Sequence, residues 1–115
     1  MKTKFFLYYI NTTPLQYYKV VELKDEELVE FEFKNIELTR KQFQLLNLLC
    51  KKKEWVRLEE VLEEMYGQKV DFSSSYHEFL YHSFRVHLCT LRKKLRGCGL
   101  IIETKQKKYR VCVIK

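Results

Sequence analysis

The spacing of apolar residues changes along the chain, and the first part has the short apolar runs of β-strands. These runs are aromatic or β-branched and are separated by polar residues. They predict three or four short strands joined by tight turns, arranged as a small antiparallel meander that must pack one face on helices. The predicted strands are residues 4–10, 17–23, 28–33 and 36–38, with turns at 11–14 and 24–27.

Residues 39–67 have the periodicity of two amphipathic helices. Thr39 followed by Gln42 forms a capping box, so we expect the first helix to begin there and to end in the lysines at 51–53. A second helix follows and ends near Gly67. Its glutamates are either a solvated face or a protein-contact surface. The apolar positions are Phe43, Leu46, Leu49 and Cys50 in the first helix and Leu58, Val61, Leu62 and Met65 in the second, and Trp55-Val56 between them is a candidate rung of sheet.

The last third of the chain predicts a long helix and a hairpin. Ser75 and Glu78 form a second capping box, and no helix breaker occurs before Gly97. Residues 100–104 and 108–114 are the two predicted strands of the hairpin. The apolar stripe of the helix is Leu80, Phe84, Leu88, Leu91 and Leu95. The opposite face holds His82, Val86, Cys89, Thr90 and Lys93, flanked by Arg85, Arg92 and Arg96.

Length and charge then limit the class of protein. A chain of 115 residues is one domain, which we divide into an N-terminal sheet (1–38), a three-helix core (39–97) and a C-terminal hairpin (98–115). The net charge is +7, and residues 75–115 carry ten Lys or Arg against two Asp or Glu. Such a local excess favours a polyanion, and nucleic acid over a membrane surface, because no exposed apolar face accompanies it. The apolar run at 5–10 is too short for a secretion signal or a membrane span.

The cysteines and catalytic motifs argue against a metalloprotein or an enzyme. Four cysteines without CxxC spacing predict free thiols in the cytoplasm. A zinc site from Cys89, Cys98, His82 and His87 matches no known ligand spacing, so we expect no metal and no cofactor. The chain has no Gly-rich phosphate loop, GxSxG or HExxH motif, so we expect no catalysis. Cys89 remains a lesser candidate for a redox sensor.

The basic helix and hairpin predict a way of binding double-stranded DNA. A helix about 10–12 Å across fits the major groove, where base edges differ, and a basic hairpin can reach the backbone or minor groove. The candidate base contacts are His82, Arg85, Val86, Cys89, Thr90 and Lys93. The candidate phosphate or hairpin contacts are Arg92, Arg96, Lys105, Lys107, Lys108 and Arg110.

Four segments in order also resemble the OmpR/PhoB-type winged-helix effector domain. They are Ile36-Glu37-Leu38-Thr39-x-x-x-Phe43-x-Leu45-Leu46-x-Leu48-Leu49, Val56-x-x-Glu59-x-Val61-Leu62 with Tyr66-Gly67, Val86-His87-Leu88-x-x-Leu91-Arg92-Lys93-Lys94-Leu95, and Ile102-x-Thr104 with Tyr109-Arg110-Val111. The resemblance implies an α+β winged helix-turn-helix fold with a hairpin wing. It also implies a cytoplasmic transcription regulator that binds promoter DNA as a dimer and contacts RNA polymerase or another regulatory protein.

The chain departs from that family at positions that bear on recognition. Arg85 stands where the family usually has an acid, and Thr90 where it often has Arg, so the base preference does not transfer. Thr90 can hydrogen-bond a base or contact a thymine methyl. The segment between the second and third helices is longer than usual, which we expect to extend the third helix backwards through Phe79 and Tyr81, and the wing lacks its usual glycines. These departures support one alternative, a winged-helix protein-interaction module without specific DNA binding.

Overall fold

In the computed structural model, the described residues (3–11, 16–24, 35–67, 76–96 and 98–113) form three helices and two small antiparallel sheets, a compact α+β fold. Among these residues, three strands come first, a short strand separates the first two helices, and the last two strands form a hairpin after α3. The elements are β1 (Thr3–Asn11), β2 (Gln16–Lys24), β3 (Asn35–Leu38), α1 (Arg40–Lys52), β4 (Val56–Arg57), α2 (Leu58–Tyr66), α3 (Tyr76–Leu95), β5 (Leu100–Lys105) and β6 (Lys108–Val113).

The N-terminal sheet differs from the predicted meander in its strand order. Among the described strands the order is β2-β1-β3, so β1 is central and pairs with both neighbours. The central place suits β1 because its Phe5 and Leu7 enter the main core, opposite Leu38 and Ile36 of β3. The predicted strand at 28–33 and most of both predicted turns lie outside the described residues.

The first helix begins and ends as the sequence predicts. Thr39 Oγ1 accepts a hydrogen bond from the Gln42 N–H at 3.2 Å, and Gln42 Oε1 accepts one from the Thr39 N–H at 3.0 Å. This is the predicted capping box, and it satisfies donors that a helix N-terminus leaves open. Lys53 closes the other end with a left-handed φ of 58° and an N–H bond to the Leu49 carbonyl.

The other two helices also match their predicted extents. In α2 the chain leaves the helix at Gly67, whose φ of 70° favours glycine. The 20 residues of α3 include Phe79 and Tyr81, so the expected backward extension is confirmed. The predicted Ser75 cap lies outside the described residues. No helix in the described ranges has the length and apolar character of a membrane span.

The second sheet joins the C-terminal hairpin to the segment between α1 and α2. Its order is β4-β6-β5, with Val56 opposite Tyr109 and Arg57 opposite Lys108. The predicted rung of sheet at Trp55-Val56 therefore exists, shifted by one residue. The Leu58 N–H donates to the Lys107 carbonyl at 2.9 Å, directly after this pairing. The turn of the hairpin thus lies beside the first residue of α2, one residue beyond the end of β4.

The hairpin turn has an unfavourable sequence for its conformation. Gln106 and Lys107 both have positive φ, 50° and 59°, as in the type I′ turns that prefer Asn-Gly. We expect the double variant Gln106→Asn/Lys107→Gly to raise the free energy of unfolding by about 0.5–1 kcal/mol, since Asn and Gly tolerate this region. Urea unfolding measures the change. Lys105→Gly in the adjacent strand is the control and should be destabilising; stabilisation by both variants would contradict the argument.

The core lies where the three helices meet both sheets. It contains the predicted apolar positions of α2, four of the five in α3, and inward residues of β1, β3, β5 and β6. In α1 the prediction was partly wrong, because Leu45 and Leu48 join Leu46 and Leu49 in the core, whereas Phe43 and Cys50 are only partly buried. Its largest fully buried side chains are Phe84, Leu7, Leu45, Leu46, Leu49, Leu58, Leu62, Met65, Leu91, Leu95, Val56 and Val61.

Candidate nucleic-acid interface

The orientation of α3 is fixed by its buried stripe. All five predicted apolar positions are buried, and Phe84 and Leu91 have no exposed surface. The Phe84 ring meets the Tyr109 ring of β6 edge-on, with centroids 5.1 Å apart. Burial raises the pKa of Tyr109 to about 12, so its phenol is neutral at physiological pH. The opposite face of α3 is therefore turned to solvent.

A set of polar contacts holds α2 against α1 and α3. Lys41 of α1 donates to the Met65 carbonyl in the last turn of α2, and its ammonium lies 4.7 Å from the centre of the Tyr66 ring. The Tyr66 hydroxyl is 2.8 Å from Ser83 Oγ on α3. A cation near the C-terminal carbonyls of α2 is favourable, and the Tyr66–Ser83 bond fixes the position of α3 along α2.

The exposed face of α3 brings together the predicted base contacts. His82, Arg85, Val86, Cys89, Thr90 and Lys93 are all exposed. A groove of about 260 Å³ lies at one side of this face, and of the candidate contacts Arg85, Cys89 and Lys93 line it. The rest of its lining is Leu88, Arg92 and Arg96. Four of its six lining side chains are cationic. Within the described residues the ion pairs are Lys52–Glu60 and Arg110–Glu103, and neither involves α3.

Thr90 occupies this face with its hydroxyl already bonded. Thr90 Oγ1 lies 3.0 Å from the His87 carbonyl and 3.2 Å from the Val86 carbonyl, so it donates back to its own helix. The same oxygen accepts from Gln42 Nε2 at 2.9 Å. These bonds use the hydroxyl within the protein, and the other group on the Thr90 Cβ is a methyl.

Gln42 connects the start of α1 to α3, a role that the sequence did not indicate. It is 2% exposed, and its Oε1 accepts from Lys94 Nζ at 2.7 Å in addition to its cap bond. Lys94 Nζ also donates to the Glu37 carbonyl of β3 at 3.0 Å. The sequence shows the cap three residues away but gives no signal for partners 48 and 52 residues away. Gln42 and Lys94 therefore position α3 relative to the N-terminal sheet.

Truncating Gln42 should test this connection. We expect Gln42→Ala to lower the free energy of unfolding by about 1–3 kcal/mol, because it removes buried hydrogen bonds and leaves their partners unsatisfied. The matched control is Gln44→Ala on the same helix, whose buried Oε1 has no hydrogen-bond partner in the described structure. Denaturant unfolding of both variants gives the comparison. Equal losses would show that Gln42 acts only through general packing.

Arg92, predicted as a phosphate contact, is a structural link between α3 and β5. Its Nη2 lies 2.9 Å from the Ile102 carbonyl and 2.6 Å from Thr104 Oγ1. The side chain still lines the groove, so its charge contributes there. However, one end of its guanidinium group is already hydrogen-bonded to β5.

The hairpin tip forms a second group of cations at the start of α2. Lys105, Lys107 and Lys108 are exposed, as predicted. Arg57 is also exposed and pairs across the sheet with Lys108. Arg57 directly precedes α2, and its side chain makes no capping bond. The pairing of β4 with β6, a non-local contact, is what adds Arg57 to this group.

Arg110 is the predicted backbone contact whose charge is most compensated. Its Nε is 3.1 Å from Glu103 Oε1, and its guanidinium lies 4.5 Å from the centre of the Trp55 ring. Cys112 Sγ donates to the same carboxylate oxygen at 2.7 Å. The bonds from Cys112 and then Arg110 lower the pKa of Glu103, so the carboxylate stays charged beside Arg110. This cluster reduces the net positive field on the outer face of the hairpin.

In the described part of the chain, His87 and the cysteines do not come together as a metal-binding group. Burial, with the nearby Lys41 charge, lowers the pKa of His87, so its imidazole is neutral at pH 7. Cys98 is buried, whereas Cys89 and His82 are exposed. Across the ranges described, no three His, Cys, Asp or Glu side chains are grouped so that they could hold a metal ion.

Comparison with known proteins gives no match to this chain. No protein-family model, curated protein or solved structure matches it.

Proposed function

We propose that this protein is a winged-helix transcription regulator that binds double-stranded DNA with α3 in the major groove. The observation that carries the proposal is the exposed face of α3, which combines all six candidate base contacts with a groove lined by four cations. Small DNA-binding domains usually reach base edges with a helix that packs one side on the core and exposes the other.

The connections between elements support the winged-helix assignment. β4 lies between α1 and α2 and adds to a C-terminal hairpin, while α3 directly precedes that hairpin. In this arrangement the hairpin would act as the wing beside a recognition helix. The sequence resemblance to the OmpR/PhoB-type domain points the same way, and it is the basis for proposing a cytoplasmic regulator that dimerises on DNA and contacts RNA polymerase or a regulatory protein.

The charge on α3 favours a polyanion over solvation alone. Glu78 is its sole acidic residue, and it lies near the opposite end of the helix from Lys93 and Arg96. Cations that lack acidic neighbours can release counterions from DNA by neutralising phosphates. Arg96 is exposed and fits this role better than Arg92 or Arg110, whose guanidinium groups have partners within the protein.

The hairpin is proposed to contact the backbone rather than enter the minor groove. Its turn is bonded to Leu58 at the start of α2, so its tip stays close to the body of the fold. Lys105, Lys107 and Lys108, together with Arg57, then present positive charge at one end of the fold. Contacts of this kind position a protein on the duplex without specifying sequence.

A protein-interaction module is the second candidate function. The observations that favour it are the exposed Glu63 and Glu64 of α2 and the exposed Phe79, which is 68% accessible on α3. Acidic side chains repel DNA phosphates, and exposed aromatic side chains are enriched at protein interfaces, so these residues suit a protein partner better than DNA.

Selection of random duplex DNA by the purified protein distinguishes the two. We expect an enriched motif at roughly physiological salt and binding that weakens steeply as salt rises, because phosphate contacts release counterions. A repeated half-site about one helical turn apart would support the dimer. Absence of DNA binding even at low salt would leave the protein-interaction module as the better proposal.

A further inference from the structure

We infer that α3 recognises thymine through its methyl group, and that Val86 and the Thr90 methyl are the specificity-determining groups. The inference rests on the proposed function and adds the base class that this surface selects. It follows from the way the fold uses the Thr90 hydroxyl.

The Thr90 hydroxyl has little capacity left for a base. A hydroxyl has one donor hydrogen and two acceptor lone pairs. The hydrogen goes to the helix carbonyls of Val86 or His87, and one lone pair accepts from Gln42 Nε2 at 2.9 Å. Gln42 is itself buried and held by its cap bond and by Lys94, so this acceptor contact is fixed by the fold. The part of Thr90 offered to a ligand is therefore apolar.

Val86 extends the same apolar surface. It is 51% exposed and lies one turn before Thr90, a spacing that places two side chains on the same strip of a helix. Leaving a valine this exposed gives up the stabilisation that its burial would provide. Arg85 and Lys93 stand on the same exposed face as charged neighbours. The face thus has two apolar contact points beside cationic side chains.

Thymine is the base that matches this chemistry. Of the four bases, thymine alone presents a methyl group in the major groove, and apolar side chains contact it there. Arg85 and Lys93 can bind guanine or phosphate beside it. We therefore expect thymines at two positions of the selected motif, and contacts to their methyl groups.

Deoxyuridine substitution tests the methyl contact directly. Replacing a thymine of the selected motif with deoxyuridine removes the methyl group and keeps the base pair and the O4 acceptor. We expect the dissociation constant to rise about fourfold at each contacted position, the value for one buried methyl group. The control is a duplex with deoxyuridine outside the motif, where we expect no change.

Two Thr90 variants separate the methyl group from the hydroxyl. Thr90→Ser keeps the Gln42 bond and removes the methyl group, so we expect it to bind thymine and deoxyuridine duplexes equally at one position. Thr90→Val keeps a methyl group and removes the hydroxyl, so the fourfold preference should remain. Val86→Ala should lose the preference at the other position. Circular dichroism at the assay temperature confirms that each variant is folded.

The outcomes distinguish this inference from the proposed function. A motif without thymine, deoxyuridine duplexes that bind as tightly as thymine duplexes, or an unchanged preference in Thr90→Ser would overturn the inference and leave DNA recognition intact. Binding without any enriched motif would overturn it and leave a non-specific DNA-binding protein. No DNA binding at all would overturn both.

Discussion

Replacing Phe84 with Ala is expected to lower the free energy of unfolding by about 3–5 kcal/mol. Phe84 is fully buried and lies between Tyr81 of its own helix and Tyr109 of the hairpin, so its removal leaves a cavity between α3 and the hairpin. A domain of this size has a total stability of about 5–15 kcal/mol, so the loss would be a large part of it. Urea unfolding at 25 °C gives the value directly.

The control for this substitution lies on the same helix. Phe79 is 68% exposed, and we expect Phe79→Ala to change the free energy of unfolding by no more than about 0.5 kcal/mol. Comparable losses from the two substitutions would mean that α3 does not pack through the side of the helix that carries Phe84. Phe84→Leu should fall between them, because it keeps most of the buried volume.

Reversing two charges on α3 is expected to abolish most DNA binding. We expect Arg85→Glu/Arg96→Glu to weaken affinity for the selected duplex on the order of 100-fold at low salt, since two attractive contacts become repulsive. The negative slope of log affinity against log salt concentration should also become smaller in magnitude by about 2. Fluorescence anisotropy over a series of salt concentrations measures both quantities.

A second double variant tests whether only total charge matters. Lys51→Glu/Lys52→Glu changes the net charge equally, on exposed residues in the last turn of α1. We expect a much smaller loss of affinity and little change in slope. If both variants lose affinity to the same extent, the exposed face of α3 is not the DNA-binding surface.

The local features of the fold could be predicted because each depends on neighbours in sequence. The Thr39–Gln42 cap, the end of α2 at Gly67 and the buried stripe of α3 involve residues within a few turns of one another. Strand order could not be predicted in the same way. The pairing of β1 with β3 joins segments some 30 residues apart, and the apolar pattern of β1 suits a central or an edge strand equally.

The sequence predicts which side chains share the exposed face of α3, but it does not predict the hydrogen bonds that those side chains make. Helical periodicity alone places Arg85, Val86 and Lys93 on one exposed face. It carries no information on the bond from Gln42 to Thr90, or on the pairing that brings Arg57 beside Lys108. Those contacts depend on how whole elements pack, and they change the role of a residue without changing its position on the helix.

The short hairpin has a consequence for how much sequence one molecule can specify. Its turn is bonded to the start of α2. If the hairpin contacts only the backbone, as proposed above, it adds charge and no contact in a second groove. Recognition would then depend on the three or four side chains of one helix that meet base edges. So few contacts cannot distinguish one binding site from the roughly 10⁶ or more competing sites of a genome. Two molecules on adjacent half-sites would multiply their selectivities, so dimerisation on DNA would supply the sequence information that the hairpin does not.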